Sequence, residues 1–409
     1  MSNKNAKQKL DFWLFSLTGL LLVLTTSGFA RMAYGAVLPY MQASMNLSIS
    51  QTGLVGTVMF LGYLLTVGLS GVLAVRWGAK KVLLSGGFLV LAAMIGISVS
   101  SYFWMICLFM FLSGAGSSLV FTPLMSIVVG RFPQKRGMAL GILLSGAGIG
   151  MLLSGFMIPL LIKHFPDLGW RSVWVFFSVV SLIVLIIASV VLRNPDNIQK
   201  SEMEEKPQWL KNKELTKIAF LYFFLGLAYL IPNLYQTSFM LSKGFSNETA
   251  GFVYAIAGIF SIIGGPVWGI ISDKIGSQKT LLLAWCFAVV GDLLPIVLTN
   301  TTGFIISSII WGSSIGGIVT LIQVKGSEQV PPKYVSAAIG FISIFYAIGQ
   351  ALGPGVSGWI IDHMGNFAGA YGFGAIVYLL GILLTLRLKN KVVSVDAKQL
   401  KLDTLSNQQ

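Results

Sequence analysis

Charged residues are scarce in this chain. Asp, Glu, Lys and Arg make up 10% of its 409 residues, whereas roughly 25% is usual in a soluble domain. Hydrophobic residues make up 55%, and the mean hydropathy is +0.81. So many apolar side chains must face something other than a protein core, and lipid is the natural candidate. The composition excludes a water-soluble globule and predicts an all-α integral membrane protein.

Cysteine, histidine and nucleotide-binding motifs are also scarce. The two cysteines, Cys107 and Cys286, lie inside apolar runs, so neither a disulfide framework nor a thiolate metal site is supported. No cluster of His, Cys and Asp has metal-ligand spacing, and the phosphate-binding pattern G-x-x-x-x-G-K-[ST] does not occur. We therefore expect no enzyme activity, no cofactor and no metal, and any pumping must draw on an ion gradient.

Apolar segments long enough to cross a bilayer, which takes about 20 residues, follow one another along the chain. There are twelve, at about 12–41, 51–75, 80–99, 102–130, 138–162, 172–192, 216–240, 249–272, 279–298, 303–324, 335–361 and 367–388. One hydrophilic stretch divides them six and six. We predict a six-helix half at 1–192, a cytoplasmic linker at 193–217, a second six-helix half at 218–390 and a cytoplasmic tail at 391–409.

The net charge of +14 follows a membrane-orientation pattern and not a nucleic-acid-binding one. If the N-terminus is cytoplasmic, 24 of the 28 Lys and Arg residues lie in tails and loops on that side, and three lie in loops on the other. This asymmetry predicts that both termini are cytoplasmic in a cell inner membrane. We expect a monomer in the lipid bilayer, with no nucleic-acid partner. The one basic residue left over, Arg31, lies within the first span.

The two halves repeat in sequence. Residues 71–78 (GVLAVRWG) return as residues 269–276 (GIISDKIG), an offset of 198 residues, and the same offset relates Pro133 to Pro331. Two matches at one offset indicate a duplicated six-helix unit. In membrane proteins with parallel repeats, the substrate site lies between the halves near the bilayer midplane.

Residues 71–81 resemble the signature of the major facilitator superfamily. Its pattern, G-x-L-x-D-R-x-G-R-K, is matched by GVLAVRWGAKK except that Val75 replaces the acid, and by GIISDKIGSQK, which keeps Asp273. The resemblance implies twelve transmembrane helices in two pseudo-symmetric halves that transport by alternating access. It also implies a gate whose charged residues are Arg76, Lys80, Arg136, Asp273 and Lys274.

A finer resemblance leaves the branch of the superfamily open. Residues 131–141 (RFPQKRGMALG) and 169–171 (GWR) are similar to monocarboxylate and oxalate/formate porters. Those porters commonly place an Asp/Arg pair in the eighth helix, and residues 249–272 carry no charge. The G-x-x-x-G-P motif that multidrug antiporters typically show in the fifth helix lies here at 349–354, in the eleventh segment.

Arg31 is the residue that most directly predicts a substrate. A charge at the bilayer centre costs at least ~2.5–3.5 kcal/mol, so Arg31 should face the bundle interior, on one helix face with Ser27 and Tyr34. A guanidinium can give two parallel hydrogen bonds to a planar anion. We predict that Arg31 and Tyr34 contact an anionic substrate; the alternative is that Arg31 caps helix ends or pairs with an internal acid.

Other candidate substrate contacts are polar or aromatic residues at helical spacing. The resemblance implies that helices 1, 4, 7 and 10 line the central cavity. The candidates in these helices and in the eleventh are Ser118, Thr122, Tyr229, Asn233, Gln236, Trp311, Tyr346 and Gln350. For the Ser and Thr residues, the alternative is that they only join neighbouring helices.

Asp292 is the candidate proton-coupling residue. It lies in the ninth segment between Gly291 and Pro295, and a carboxylate buried at that depth is costly unless it has a function or a partner. The resemblance implies that the ninth helix lies outside the cavity, which argues against direct contact with substrate. The alternative is a hydrogen-bonded structural residue.

Together these features predict a secondary transporter that moves a small organic anion, with a carboxylate as the leading class and a proton as the expected coupling ion. The alternative is efflux of amphipathic compounds, drugs or siderophores, for which the aromatic stripes would matter more than Arg31. A membrane sensor that borrowed the fold would usually carry a long cytoplasmic domain, and neither 193–217 nor 391–409 is large enough for one.

Overall fold

The computed structural model describes residues 2–132, 136–193, 212–330 and 334–389, and every regular element within these ranges is a helix. Twelve spans are long and apolar enough to cross a membrane. This confirms the fold predicted from the apolar segments. We number the spans α1 to α12 in chain order. Most of the predicted linker and all of the predicted tail lie outside the described residues.

Two of the spans are broken, which the sequence did not predict. α1 consists of Ser2–Val23 (α1a), a π-helical segment at Leu24–Met32 and Tyr34–Met45 (α1b). α7 consists of Lys213–Ala228 (α7a) and Leu230–Ser242 (α7b). The continuous spans are α2 (Ile49–Trp77), α3 (Ala79–Val99), α4 (Phe103–Arg131), α5 (Arg136–His164), α6 (Trp170–Val191), α8 (Asn247–Ile275), α9 (Ser277–Val297), α10 (Thr301–Ser327), α11 (Val335–Met364) and α12 (Ala368–Leu386).

The 198-residue repeat of the sequence recurs in the helix ends. Ser48 and Ser246 are the N-caps of α2 and α8, and each hydroxyl accepts a hydrogen bond from the backbone N–H three residues later. Such caps satisfy donors that the helix itself leaves free. Gly78 and Gly276 follow the ends of α2 and α8 with the same φ of 89°, a conformation that glycine adopts without strain. Equivalent positions in the two repeats therefore start and stop equivalent helices.

The two halves meet along three helix pairs, α1b with α7b, α2 with α11 and α5 with α8. Each pair contains a glycine that lies against the backbone of the opposite half. Gly35 lies against the carbonyl of Asn233, and Gly53 lies against the carbonyl of Pro354. Gly251 lies against the backbone of α5 in the same way. Small residues permit this close approach of membrane helices.

These glycine contacts lie at one end of the bundle, which we call the closed end. α2 and α8 begin there, α5 and α11 finish there, and the first and last spans of the chain have their free ends on the other side. On that other side, several glycines of α2, α5, α8 and α11 would have no heavy atom within 4 Å of an added Cβ: Gly68, Gly71, Gly141, Gly269 and Gly340. The bundle is therefore open between the halves at the end where α1 begins and α12 finishes. We call this the open end.

A carboxylate fastens the closed end. Asp362, near the end of α11, accepts hydrogen bonds from the backbone N–H groups of Ile49 (3.1 Å) and Ser50 (2.7 Å) in the first turn of α2. The free N–H groups and the positive dipole end of a helix both favour a negative charge at this position. Asp362 thus joins the two halves by a charge-assisted contact.

Asp362→Asn should loosen the closed end. The amide keeps one acceptor but loses the charge, a loss of about 1 kcal/mol that corresponds to a roughly fivefold larger open population at this end. Thr237, which is buried one turn beyond Asn233 on α7b, reports that population when it is replaced by cysteine. We expect a maleimide to label Thr237→Cys several times faster in the Asp362→Asn background.

The measurement uses purified protein in which Cys107 and Cys286 are replaced by serine. Asp167→Asn is the matched control, because Asp167 is exposed and lies in the α5–α6 loop. An equal labelling rate in the Asp362→Asn and Asp167→Asn backgrounds would show that Asp362 does not hold this end closed.

Candidate functional site

The π-helical segment of α1 carries Arg31 into the interior of the bundle. The N–H of Ala33 reaches back five residues to the carbonyl of Gly28 (2.8 Å), which widens the helix at this point. Gly28 lies against Gly150 of α5, so the widened turn still packs tightly on its neighbour. Such π turns are frequently found at functional sites. Arg31 itself is 7% exposed.

The guanidinium of Arg31 rests on two aromatic rings of α2. Its central carbon lies 4.7 Å from the ring centroid of Phe60 and 4.3 Å from that of Tyr63. Aromatic faces attract a cation, and the hydroxyl of Tyr63 is also close enough to the guanidinium to interact with it. The buried Nε has no hydrogen-bond partner, and no carboxylate in the described part of the chain forms an ion pair with Arg31. The positive charge is therefore only partly compensated.

Tyr229 occupies the position in the second repeat that Arg31 occupies in the first, 198 residues later. It lies at the break of α7, between α7a and α7b. Pro232 follows it, and because proline has no N–H, the helical hydrogen bond to the carbonyl of Ala228 cannot form. Arg31 and Tyr229 each lie one turn from the Gly35–Asn233 contact, on the side of the opening. The two residues thus form the base of the open end.

A column of tyrosines stands on the C-terminal half. We use the name tyrosine column for Tyr222, Tyr229 and Tyr346. Tyr346 is stacked on both others, with ring centroids 4.3 Å from Tyr222 and 5.7 Å from Tyr229. Gln350 donates a hydrogen bond to the hydroxyl of Tyr229, and Gln323 donates one to that of Tyr222 (3.1 Å). Arg31 lies near enough to Tyr229 and Tyr346 to interact with both electrostatically.

Asn233 and Gln236 hold α7b in place beside this site. The amide of Asn233 donates to the hydroxyl of Tyr254 (3.1 Å), which in turn donates to the carbonyl of Met32 in α1. The amide of Gln236 donates to the hydroxyl of Ser308 in α10. The side-chain oxygen of Asn233 is buried without a hydrogen-bond partner. Asn233 therefore links the two halves next to Arg31 and keeps one acceptor free.

Three of the predicted substrate contacts lie between helices of the N-terminal half. The hydroxyl of Tyr34 donates to the carbonyl of Thr52 (2.8 Å), which joins α1b to α2. The hydroxyl of Ser118 lies 2.6 Å from that of Thr66, which joins α4 to α2. Thr122 is half-buried one turn after Ser118. The structure thus gives Tyr34 and Ser118 packing partners and brings neither beside the tyrosine column.

Trp311, a predicted substrate contact, and Asp292, the predicted proton-coupling residue, lie behind α7. Trp311 is 3% exposed, and its indole N–H has no hydrogen-bond partner. Asp292 is fully buried, and neither of its carboxylate oxygens has a partner. Both residues belong to a separate polar cluster away from Arg31.

The predicted gate residues lie at the open end. Arg76, Asp273 and Lys274 are exposed, and none of these three has a hydrogen bond or ion pair to another described residue. Lys80 donates to the carbonyl of Ser189 at the end of α6 (2.7 Å), within its own half. The side chain of Arg136 lies outside the described residues. Arg76, Asp273 and Lys274 therefore join no described residue of the opposite half while this end is open.

Sequence reasoning did not predict the contributions of Phe60, Tyr63 and Gln323. Aromatic residues in an apolar helix are as common on lipid-facing surfaces as in cavities, so Phe60 and Tyr63 carry no distinctive pattern. Tyr63 is the only tyrosine in α2, which is the one signal that could have directed attention to it. Gln323 is an uncharged polar residue in the tenth segment, the same type of signal that identified Gln350.

Comparison with known proteins agrees with this architecture. The family model of the Major Facilitator Superfamily matches residues 20–335 and 218–405. The chain belongs to the Major Facilitator Superfamily. This match confirms the resemblance seen in residues 71–81 and 269–279. The protein is a transporter of this superfamily.

Its superfamily relatives include monocarboxylate transporters and an efflux protein, all at low identity. An agnestins efflux protein of Paecilomyces divaricatus is 26% identical over 79% of this chain and 75% of its own. Monocarboxylate transporter 12-B of Danio rerio is 23% identical over 70% of this chain and 68% of its own. Monocarboxylate transporter 13 of Bos taurus is 24% identical over 77% of this chain and 75% of its own.

Two solved structures share the fold. A variant of the nucleoside transporter NupG superposes with a TM-score of 0.78 at 15% identity, covering 93% of this chain and 99% of its own. A bacterial homologue of the human lysosomal transporter Spinster, in an inward-facing and occupied conformation, superposes with a TM-score of 0.68 at 17% identity. The match covers 90% of this chain and 93% of that chain. At these identities the likeness describes the fold of the superfamily alone.

Arg31→Ala should leave the folded protein as stable as before, or more stable. The substitution removes a buried charge that lacks an ion-pair partner, and such a charge costs folding energy within a membrane. Thermal unfolding of the purified protein in detergent measures the effect, and we expect an equal or higher unfolding temperature.

Arg171→Ala is the matched control for this measurement. The guanidinium of Arg171 donates to the carbonyl of Ser100 (2.9 Å) and covers the ring of Trp170, so its loss should lower the unfolding temperature. If Arg31→Ala lowers the temperature by as much as Arg171→Ala, Arg31 is a structural residue.

Proposed function

We propose that this transporter moves a small organic anion, specifically a carboxylate, across the membrane by alternating access, with Arg31 as its anchor. One observation carries the proposal: a buried guanidinium between the two halves, at the base of the open end, lies against two aromatic rings and has no ion-pair partner among the described residues. The anion would supply the partner that the protein lacks.

The geometry around Arg31 favours a planar anion over a neutral substrate. Phe60 and Tyr63 lie against the guanidinium and fix its orientation. Its remaining N–H donors form a fork that matches the two oxygens of a carboxylate. Inside a membrane, where few other groups can satisfy a charge, such a contact is stronger than at a water-exposed surface.

The tyrosine column would bind the rest of the substrate. Its rings offer flat apolar surfaces, while Gln350 and Gln323 fix its hydroxyl groups. A carboxylate with an apolar or aromatic body would contact Arg31 on the N-terminal half and Tyr229 or Tyr346 on the C-terminal half. Because this ligand joins both halves, its binding energy would differ between the open and closed states, as alternating access requires.

The orientation of the termini completes the proposal. The 24-to-3 distribution of Lys and Arg residues favours cytoplasmic termini in an inner membrane. In that orientation the open end faces the cytoplasm. Arg76, Lys80, Arg136, Asp273 and Lys274 would then close the cytoplasmic end when the other end opens, in a protein that works as a monomer.

Efflux of amphipathic compounds, drugs or siderophores is the second candidate function. The tyrosine column is large for the smallest carboxylates, and the relative named as an agnestins efflux protein supports transport in this direction. The two candidates share the site and differ in the direction of transport and in whether Arg31 is required.

Arg31→Lys should weaken carboxylate binding, and Arg31→Ala should weaken it further. Loss of hydrogen bonds to a charged group costs about 1.5–3 kcal/mol, so we expect affinities for benzoate and pyruvate to fall by roughly 10- to 100-fold. Ligand-dependent shifts of the unfolding temperature measure affinity, and uptake of the radiolabelled acids into proteoliposomes measures transport.

Benzamide and pyruvamide are the matched neutral ligands. Neither should stabilise the wild-type protein at concentrations at which the acids do. Transport of the acids at the wild-type rate by Arg31→Ala would rule out Arg31 as the anchor. Arg31-independent export of hydrophobic compounds by the same variant would favour the efflux candidate.

Tyr346→Leu should distinguish aromatic from aliphatic carboxylates. Loss of a stacked ring costs about 0.5–1.5 kcal/mol, so benzoate affinity should fall by roughly 2- to 10-fold while pyruvate affinity changes little. Tyr346→Phe, which keeps the ring, is the control. An equal loss for both acids would mean that Tyr346 positions the site without touching the substrate body.

A further inference from the structure

A second group of polar residues is buried in the C-terminal half, apart from Arg31. We use the name Asp292 cluster for Asp292 and Trp285 of α9, Trp311 of α10, and Tyr371 and Tyr378 of α12. Both oxygens of Asp292, the indole nitrogen of Trp285 and the hydroxyl of Tyr371 are buried without a hydrogen-bond partner, and the indole of Trp311 and the hydroxyl of Tyr378 have at most each other. Most buried polar groups in proteins are hydrogen-bonded, so a concentration of unpaired ones requires a reason.

The members of the cluster lie close to one another. Asp292 is within electrostatic range of the hydroxyl groups of Tyr371 and Tyr378. The ring of Trp285 lies 5.6 Å from that of Tyr378. Gly291, next to Asp292, packs against the backbone of Trp311, and an added Cβ there would lie 3.2 Å from its nitrogen. Tyr371 and Tyr378 thus lie near the carboxyl group of Asp292, and Trp285 and Trp311 pack against their neighbours.

The chemistry of the cluster favours a proton over a metal cation. An indole N–H only donates, and two indoles beside the carboxylate offer no ligand to a cation. The hydroxyl groups of Tyr371 and Tyr378 could donate to an ionised carboxylate, but here neither forms a hydrogen bond with it. A carboxylate that is fully buried without a donor is strongly disfavoured in its charged form. A neutral, protonated Asp292 would avoid this cost.

The cluster also contacts the break of α7 from behind. Gly374 of α12 lies against a carboxylate oxygen of Asp292, and an added Cβ there would lie 3.2 Å from the side chain of Ile231. Ile231 is in the first turn of α7b, two residues after Tyr229. Tyr378 lies within electrostatic range of both Asp292 and Tyr229. A movement at the break of α7 would therefore reach Asp292 on one side and the substrate site on the other.

The groups that face Asp292 come from each helix packed near it. They are Tyr371 and Tyr378 from α12, Trp311 and Ser307 from α10 and Ile231 from α7b, while α8 packs Trp268 on Phe287 of α9. Among the described residues, the two tyrosines are the titratable groups in range of the carboxylate. No cation lies there to keep it ionised.

We propose that Asp292 is the coupling proton site of the transporter, and that it exchanges its proton when the break of α7 moves. While the open end is accessible, as in this structure, the carboxyl group of Asp292 is protonated. When that end closes around a substrate, the shift of α7b brings the hydroxyl and indole donors of the cluster onto the carboxylate, which then releases its proton. The hydroxyl of Tyr378 then donates to the resulting carboxylate, and the released proton passes to water that enters from the opposite end of the bundle. This inference rests on the proposed function.

Infrared spectroscopy tests the protonation of Asp292 without a substrate. The C=O stretch of a protonated carboxylic acid is separate from the amide and carboxylate bands. The wild-type minus Asp292→Asn difference spectrum of the purified protein at neutral pH should contain this band. The corresponding spectrum for Asp167→Asn, an exposed loop carboxylate, should lack it. Absence of the band in the first spectrum overturns the proposal.

Transport measurements test the coupling. In proteoliposomes with an imposed pH gradient, Asp292→Asn should lose accumulation of benzoate and pyruvate. It should keep exchange of labelled for unlabelled acid, which needs no net proton movement. Tyr378→Phe, which keeps the ring and removes the hydroxyl, should slow accumulation more than exchange.

The outcomes separate this inference from the proposed function. Gradient-driven accumulation by Asp292→Asn at the wild-type level, or accumulation driven by a sodium gradient alone, overturns the proton site and leaves the anion site intact. Loss of both accumulation and exchange, in a variant that unfolds at the wild-type temperature, shows that Asp292 is needed for substrate binding itself, which contradicts the proposal. Failure of the wild-type protein to carry either acid counts against the proposed function, while the infrared result still stands.

Discussion

The incompletely satisfied charge of Arg31 is the constraint on which the site depends. A guanidinium in the middle of a span needs room and partners, and the π-helical turn of α1 provides the room. Phe60 and Tyr63 cover one side of the charge, and the Gly35–Asn233 contact closes the bundle one turn away. These groups attract the cation without neutralising it. Its Nε has no hydrogen-bond partner, and in the proposed function an anion that enters from the open end supplies the missing partner.

The pseudo-symmetry of the fold explains why the site spans both halves. Arg31 and Tyr229 occupy equivalent positions of the repeat, each at the break of its span, so duplication of one unit produced two similar irregular turns that face each other. Their chemistry has since diverged into a charge on one half and an aromatic hydroxyl on the other. Two different groups across a moving interface can bind the two ends of one ligand, which two identical groups could not do as well.

The sequence predicted the fold better than it predicted the site, because membrane spans are local features. Three features can each be recognised without knowledge of tertiary contacts: the lengths of the apolar segments, the positions of Lys and Arg, and the repeat. Arg31, Tyr229 and Gln350 stand out because polar groups are rare in spans. Tyr34 gives the same signal, yet its hydroxyl bonds to α2, since a lone polar residue in a helix does not reveal which neighbour it faces. The π turn of α1 has no sequence signature at all.

The separation of Arg31 from Asp292 is as informative as the surroundings of either. A guanidinium and a carboxyl group are buried in opposite halves, and pairing them as ions would satisfy both. The structure instead puts the break of α7 between them, with Tyr229 toward Arg31 and Ile231 toward Asp292. Both groups consequently remain without partners, at a cost in stability that proteins tolerate at functional sites. In the proposed mechanism an anion binds Arg31 and a proton binds Asp292. Because both sites contact the break of α7, anion binding and proton binding depend on each other.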